Sequence, residues 1–179
     1  IDLGREKCGY IVYGTNGVGK SSVTRAVGMS VMMAQAGMFV PCESFTFSPY
    51  TKIFTRILGN DNIFKGQSSF AVEMSELRLI LRTADENSLI LGDELCSGTE
   101  SESAVAIFSA GLIQLHDIKA SHLFASHLHT LCSMDRIKAL ANEGLRITHM
   151  SVNYDRARDL LIYERKLIDG PGNKLYGLE

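Results

Sequence analysis

The sequence contains no C-x-x-C pair, and its four cysteines, Cys8, Cys42, Cys96 and Cys132, lie far apart. That spacing excludes a disulfide framework or a structural zinc knot as the organising device and reads as reduced thiols of an intracellular protein. An excess of charge of one sign is missing too. Lys and Arg number 18 against 20 Asp and Glu, a formal charge of -2, and the basic residues are scattered. No basic field would by itself hold nucleic acid, so any DNA contact is expected to lie elsewhere. No apolar run approaches the roughly twenty residues a membrane span needs, and the N-terminus lacks a secretory pattern. A soluble, intracellular protein with no membrane partner is expected, its compartment left open. There is no internal repeat and no low-complexity segment.

What is present suits one globular domain: 179 residues, 45% hydrophobic and 21% charged. The first residue is Ile1 rather than Met, and Leu175 to Glu179 reads like the start of an unfinished element. Both ends are therefore expected to be cuts in a longer polypeptide.

Gly9 to Tyr13 is a short apolar run closed by Gly14. A helical pattern follows from Lys20 to about Gly37, with Val23, Val27, Val31 and Ala34 at three-to-four spacing. Met29, Met32, Met33 and Met38, on or just after that helix, are expected to be flexible core packing. Met38 to Cys42 is a strand candidate stopped by Pro41, and Glu43 to Gly66 is expected to be irregular. Ser68 to about Ala84 reads as a helix with Ser68 or Ser69 as N-cap and Val72, Leu77, Leu79, Ile80 and Leu81 as its apolar face. Leu89 to Leu91 is a strand leading into Asp93-Glu94, a helix runs from about Ser101 to Leu115, and Leu123 to Ala125 is a strand ending at Ser126-His127. Strands alternating with helices imply a mostly parallel sheet flanked by helices. Leu145 to Val152 and Asp159 to Ile168 look like a C-terminal antiparallel pair.

A phosphate chain needs inward backbone N–H groups, a helix N-terminus, a cation and a hydroxyl for magnesium. Gly14-Thr-Asn-Gly-Val-Gly-Lys-Ser21 offers all four after a strand and before a helix, which outweighs an ordinary glycine-rich turn. The binding set is Gly14, Thr15, Asn16, Gly17, Val18, Gly19, Lys20, Ser21 and Ser22. Lys20 would bridge the β- and γ-phosphates, and Ser21 would ligate Mg²⁺. Asn16 either donates to phosphate or caps the turn. Asp93 and Glu94 end an apolar strand at the sheet's carboxyl edge, where open α/β folds bind ligands. Asp93 would hold the Mg²⁺ shell and Glu94 would orient the attacking water. His127, at the end of the next strand, is read as a γ-phosphate sensor. The His127-x-His129 pair lacks a third metal ligand at sensible spacing. Arg78 and Arg82 are read as the solvated face of their helix.

Together these motifs resemble the ATPase domain of the MutS DNA mismatch-recognition family, a branch of the ABC-type ATPases. The likeness extends to Val40-Pro41, Ile53 to Ile57, Ser68 to Met74, Gly98-Thr99 after the acidic pair, and Tyr176-Gly177-Leu178. The resemblance implies an α/β P-loop NTPase of the ABC-ATPase type, with ATP and Mg²⁺ as ligands. It also implies composite sites in a dimer, ATP on one subunit's P-loop being completed in trans by the partner's copy of Ser68. His149 falls where family members have a histidine near the adenine. The mismatch-recognition, connector, lever and clamp domains would precede residue 1, and dimerisation helices would follow residue 179. DNA would be contacted through those absent domains, and a downstream repair protein is a further implied partner.

Three positions depart from the family pattern. Its Pro-Asn-Met in the loop reads Thr15-Asn16-Gly17, its Arg before Gly-Thr reads Ser97, and an upstream acidic pair reads Asp61-Asn62. The loop variant and Leu95-Cys-Ser-Gly-Thr99 look like the divergent branch of giant viruses and coral mitochondria. An alternative keeps the ATPase but has it act on recombination junctions or stalled ribosomes. A transporter nucleotide-binding subunit would require a Leu-Ser-Gly-Gly-type motif shortly before the Asp-Glu pair, and none is present. Glu94 argues against a small-molecule kinase, which needs no such carboxylate.

Overall fold

A computed structural model describes residues 1–56, 69–96, 99–155, 158 and 160–172. The chain runs β1 (Gly9–Tyr13), α1 (Lys20–Gln35), β2 (Lys52–Arg56), α2 (Ser69–Thr83), β3 (Ser88–Asp93), α3 (Ser101–Asp117), β4 (Ser121–Ala125), a 3-10 helix (His129–Ser133), α4 (Asp135–Asn142), β5 (Leu145–Asp155) and β6 (Leu160–Asp169). One six-stranded sheet has the order β2-β3-β4-β1-β5-β6. All neighbours are parallel except the β5–β6 pair, as the sequence predicts.

β1, β3 and β4 are buried throughout because both faces of the sheet are covered. The two-residue period of a strand then sorts their side chains between two cores. Tyr10, Val12, Leu89, Leu91 and Leu123 pack with Val23, Val27 and Val31 of α1. Ile11, Tyr13, Ile90 and Phe124 pack on the other side with Leu77 and Ile80 of α2, Phe108 and Leu112 of α3, and Ile137 and Leu140 of α4. The register places Asp93 beside Ala125, Ala125 beside Val12, and Tyr13 beside His149. The carboxyl ends of four strands therefore meet where the chain leaves β1 for the far edge of the sheet, the switch point at which such sheets bind ligands.

Several local expectations are corrected. Met38 to Cys42 is not a strand. Gly37, at φ 74°, closes α1 instead, with Gly37 N–H donating to Ala34 O and Met38 N–H to Met33 O at 2.9 Å. The second strand is β2, inside the stretch expected to be irregular. It is an edge strand with Lys52 and Thr55 exposed and Ile53 and Phe54 only half-buried, a weak alternation between turn-rich flanks. Met29, Met32 and Met38 are exposed rather than core. The buried stripe of α1 is Thr24, Gly28 and Val31, and the methionines lie off it. Leu79 of α2 is likewise exposed. The 3-10 helix and α4 fill a stretch for which no element was expected.

Candidate functional site

The loop from Gly14 to Gly19 turns on three glycines with positive φ, Gly14 at 151°, Gly17 at 81° and Gly19 at 111°. A Cβ on Gly14 would lie 2.8 Å from Val18 Cγ1, and Val18 itself is fully buried. Glycine is required there because Val18 anchors the loop's underside. Gly19 is the left-handed N-cap of α1 and supplies no side chain to that helix end. The helix opens with N–H groups that lack intrahelical partners and carry the positive end of its dipole. Asn16, Gly17 and Ser22 are exposed, Thr15 and Ser21 half-buried.

Lys20 is buried, with its Nζ donating to Gly14 O at 2.7 Å and Thr15 O at 3.0 Å. The same ammonium stands 4.0 Å from Glu94 Oε1. Burial lowers the Lys20 pKa, and the charges of Glu94 and Asp93 oppose that shift. Asp93 is buried at the end of β3, and its Oδ1 has no hydrogen-bond partner. A buried carboxylate oxygen without a donor is costly unless something else satisfies it. A divalent cation held by Asp93 and Ser21 fits this donor set, since hard cations prefer carboxylate and hydroxyl oxygens. Such an ion would neutralise charge on phosphate oxygens. The buried Thr15 hydroxyl is also unpartnered and borders the same loop.

Glu94 follows directly, in the left-handed region at φ 49°. Its N–H donates to Ala125 O at 3.0 Å, and the Ser126 N–H donates to Val12 O at 3.1 Å, so the ends of β3, β4 and β1 are tied in sequence. His127 is exposed just beyond β4 at this edge. The Ser126 hydroxyl accepts the Leu128 N–H at 3.1 Å and so shapes the turn that presents His127. His129 belongs to the support rather than to a metal pair, its ring stacked on Tyr13 at 4.7 Å. His149 sits on β5 opposite Tyr13, and its Nδ1–H donates to Gly170 O at 3.0 Å. Gly172 lies against the His149 ring, where a Cβ would come within 2.8 Å.

The fold thus gathers Gly14 to Ser22, Asp93, Glu94, His127 and His149 at one edge of the sheet. Ser68, Ser97-Gly98, Asp61-Asn62 and Tyr176 to Leu178 lie outside the described residues. Sequence reasoning overlooked Glu73. This α2 carboxylate is 5% exposed and accepts the Cys96 N–H at 2.7 Å. The available signal was a charged residue in phase with Leu77 and Ile80 on the buried stripe of an amphipathic helix.

A family model described as MutS domain V matches residues 10–179. A putative DNA mismatch repair protein mutS homolog of Acanthamoeba polyphaga mimivirus is 42% identical over 179 residues, covering 98% of this chain and 16% of that protein. A mitochondrial DNA mismatch repair protein mutS homolog of Sarcophyton glaucum is 44% identical over 178 residues, 99% of this chain and 17% of its own length. The DNA mismatch repair protein MutS of Caldanaerobacter subterraneus subsp. tengcongensis is 37% identical over 181 residues, 100% of this chain and 20% of its own. The chain therefore spans a fifth or less of these relatives. A giant virus and a coral mitochondrion are among their sources, as the loop variant suggested.

Proposed function

Since the chain belongs to the MutS family, as its domain V, we propose that it is the ATP-binding and ATP-hydrolysing domain of a DNA mismatch repair protein. The observation that carries this reading is the convergence on one loop of the Lys20 ammonium, the Glu94 carboxylate 4.0 Å away and the unpartnered Asp93 carboxylate. Gly14 to Ser22 bind the triphosphate, with Lys20 exchanging its two loop carbonyls for phosphate oxygens. Asp93 and Ser21 hold Mg²⁺, Glu94 orients the attacking water, and His127 senses the γ-phosphate. His149, on the strand beside β1, would lie near the adenine, as in the family it resembles.

In this reading the site is completed by Ser68 of a second subunit, so that ATP turnover reports on dimer geometry and switches a clamp on DNA. In this reading DNA is contacted by other domains of a longer protein, in keeping with the lack of a basic excess in this one. The relatives are named as mismatch repair proteins, which favours that substrate over recombination junctions or ribosomes.

Calorimetry with Mg-ATP tests the reading. Lys20→Ala should weaken binding at least tenfold, about 1.4 kcal/mol or more, with circular dichroism unchanged. Binding as tight as that of the parent would remove the P-loop assignment.

A further inference from the structure

His127 is exposed just beyond β4 and belongs to no helix or strand, so the reach of its ring is set by the backbone that carries it. That backbone is sharply bent. Leu128 lies at φ -78° and ψ 74°, and the His129 N–H donates to His127 O at 2.9 Å, which together make an inverse γ-turn. The incoming side of the turn is tied to β1, the Ser126 N–H donating to Val12 O at 3.1 Å. Its outgoing side meets the next residue of that strand, Tyr13.

Tyr13 is fully buried. Its hydroxyl donates to Leu128 O at 3.4 Å, long for an O–H donor. Its ring adds a second hold, stacked on that of His129 with centroids 4.7 Å apart and planes 23° from parallel. Burial, and then the Cys132 side chain beside the hydroxyl, raise the Tyr13 pKa, so the phenol keeps its proton and remains a donor. Leu128 O also accepts the Leu131 N–H at 3.1 Å, but that bond is internal to the 3-10 helix and moves with it. Tyr13 instead reaches the turn from β1. It is followed at once by Gly14, whose carbonyl accepts the Lys20 ammonium at 2.7 Å. One residue therefore grips the γ-turn through its side chain and starts the P-loop through its backbone, with about 3.8 Å between its Cα and the first of the loop.

We propose that Tyr13 is a positioning residue for hydrolysis, holding the turn that carries His127 in register with the P-loop. This rests on the reading of His127 as the γ-phosphate sensor. The Tyr13 side chain lies in one core cluster with Phe124 and Leu131 and acts through His127 rather than on the nucleotide. Its loss slows turnover without weakening nucleotide binding.

The test is a double-mutant cycle in the full-length protein, comparing the parent, Tyr13→Phe, His127→Ala and the double variant for kcat and for the Kd of Mg-ATP. Tyr13→Phe keeps the ring and removes only the hydroxyl, and circular dichroism checks its fold. Misplacing a reacting group by about 1 Å can cost roughly a hundredfold in rate, and loss of one restraint among several should lower kcat about fivefold to tenfold. The Kd should stay within about twofold of the parent. In the His127→Ala background the same substitution should change kcat by less than about twofold, because no imidazole is left to position.

A tyrosine that merely stabilises the core would give the same factor in both backgrounds, and that result would overturn the proposal. So would a parental kcat for Tyr13→Phe beside a slowed His127→Ala, or a Kd weakened along with kcat. A parental kcat for His127→Ala would instead remove the sensor reading itself. Should Tyr13→Phe fail to fold, His129→Leu takes its place in the cycle, deleting the stacking partner while leaving Tyr13, with the same pattern expected.

Discussion

Lys20 Nζ spends two of its three donors on the carbonyls of Gly14 and Thr15, and Glu94 stands at the limit of ion-pair distance. A phosphate oxygen is a stronger acceptor than a neutral carbonyl, so a bound triphosphate would draw the ammonium out of the loop. Glu94 would then be released from its nearest cation. The proposed function separates the two tasks: Lys20 would bind phosphate, and Glu94 would act on water. Glu94→Gln, which retains shape and hydrogen bonding but not charge, should leave the Kd for Mg-ATP within about threefold and lower kcat by roughly a hundredfold or more. Single-turnover phosphate release measured on the assembled protein would decide it, and a parental rate would remove Glu94 from catalysis.

The elements hold these residues through close approaches at glycines. Gly28 of α1 has no side chain where a Cβ would lie 2.6 Å from Leu91 Cδ1, so the first helix packs directly on β3. At the opposite end of the sheet, Gly144 leads from α4 into β5 with φ 117°, and a Cβ there would collide with the carbonyl oxygen of Glu6. That neighbour is backbone and cannot rotate aside. Gly144→Ala should therefore cost about 1–3 kcal/mol, read as a lower midpoint in urea unfolding. Nucleotide affinity should change little, because Leu145 pairs with Gly9 at the end of β1 remote from the loop. Unchanged stability would mean that the α4–β5 junction does not constrain the sheet. The boundary of α1 was legible from Gly37, and that of β3 from its unbroken apolar run. β2 was obscured because an edge strand needs little apolar surface, and α4 because only Ile137 and Leu140 are buried in it.

Across the whole molecule, acid sensitivity should originate in a histidine far from the site. His122 on β4 is fully buried beside Gly9, where a Cβ would strike its ring. Its Nδ1–H donates to Ala120 O at 2.8 Å. Burial lowers its pKa from 6.5 to about 4, with the Ala120 bond opposing and the nearby His116 adding to the shift. The unfolded chain then binds a proton that the native state refuses between those two values. Stability should be independent of this group above pH 6.5 and should fall by roughly 3 kcal/mol as the pH drops to about 4. Denaturant unfolding across that interval should show the loss, and His122→Leu should flatten it. An equally steep profile in the variant would place the effect elsewhere.

Among the described residues no helix is long and apolar enough to cross a membrane. That the loop from Gly14 to Ser21, the acidic pair and His127 would share one edge of the sheet could be read in advance, because each follows an apolar strand at short spacing. The family resemblance rested on the same local patterns. Only the tertiary structure decided that Ser126 shapes a turn, that His129 supports Tyr13, that α1 shows Met29 and Met32 to solvent, and that Glu73 fastens the Glu94 turn. Those roles depend on contacts between residues distant in sequence, and local spacing does not encode which surfaces of packed helices and strands will meet.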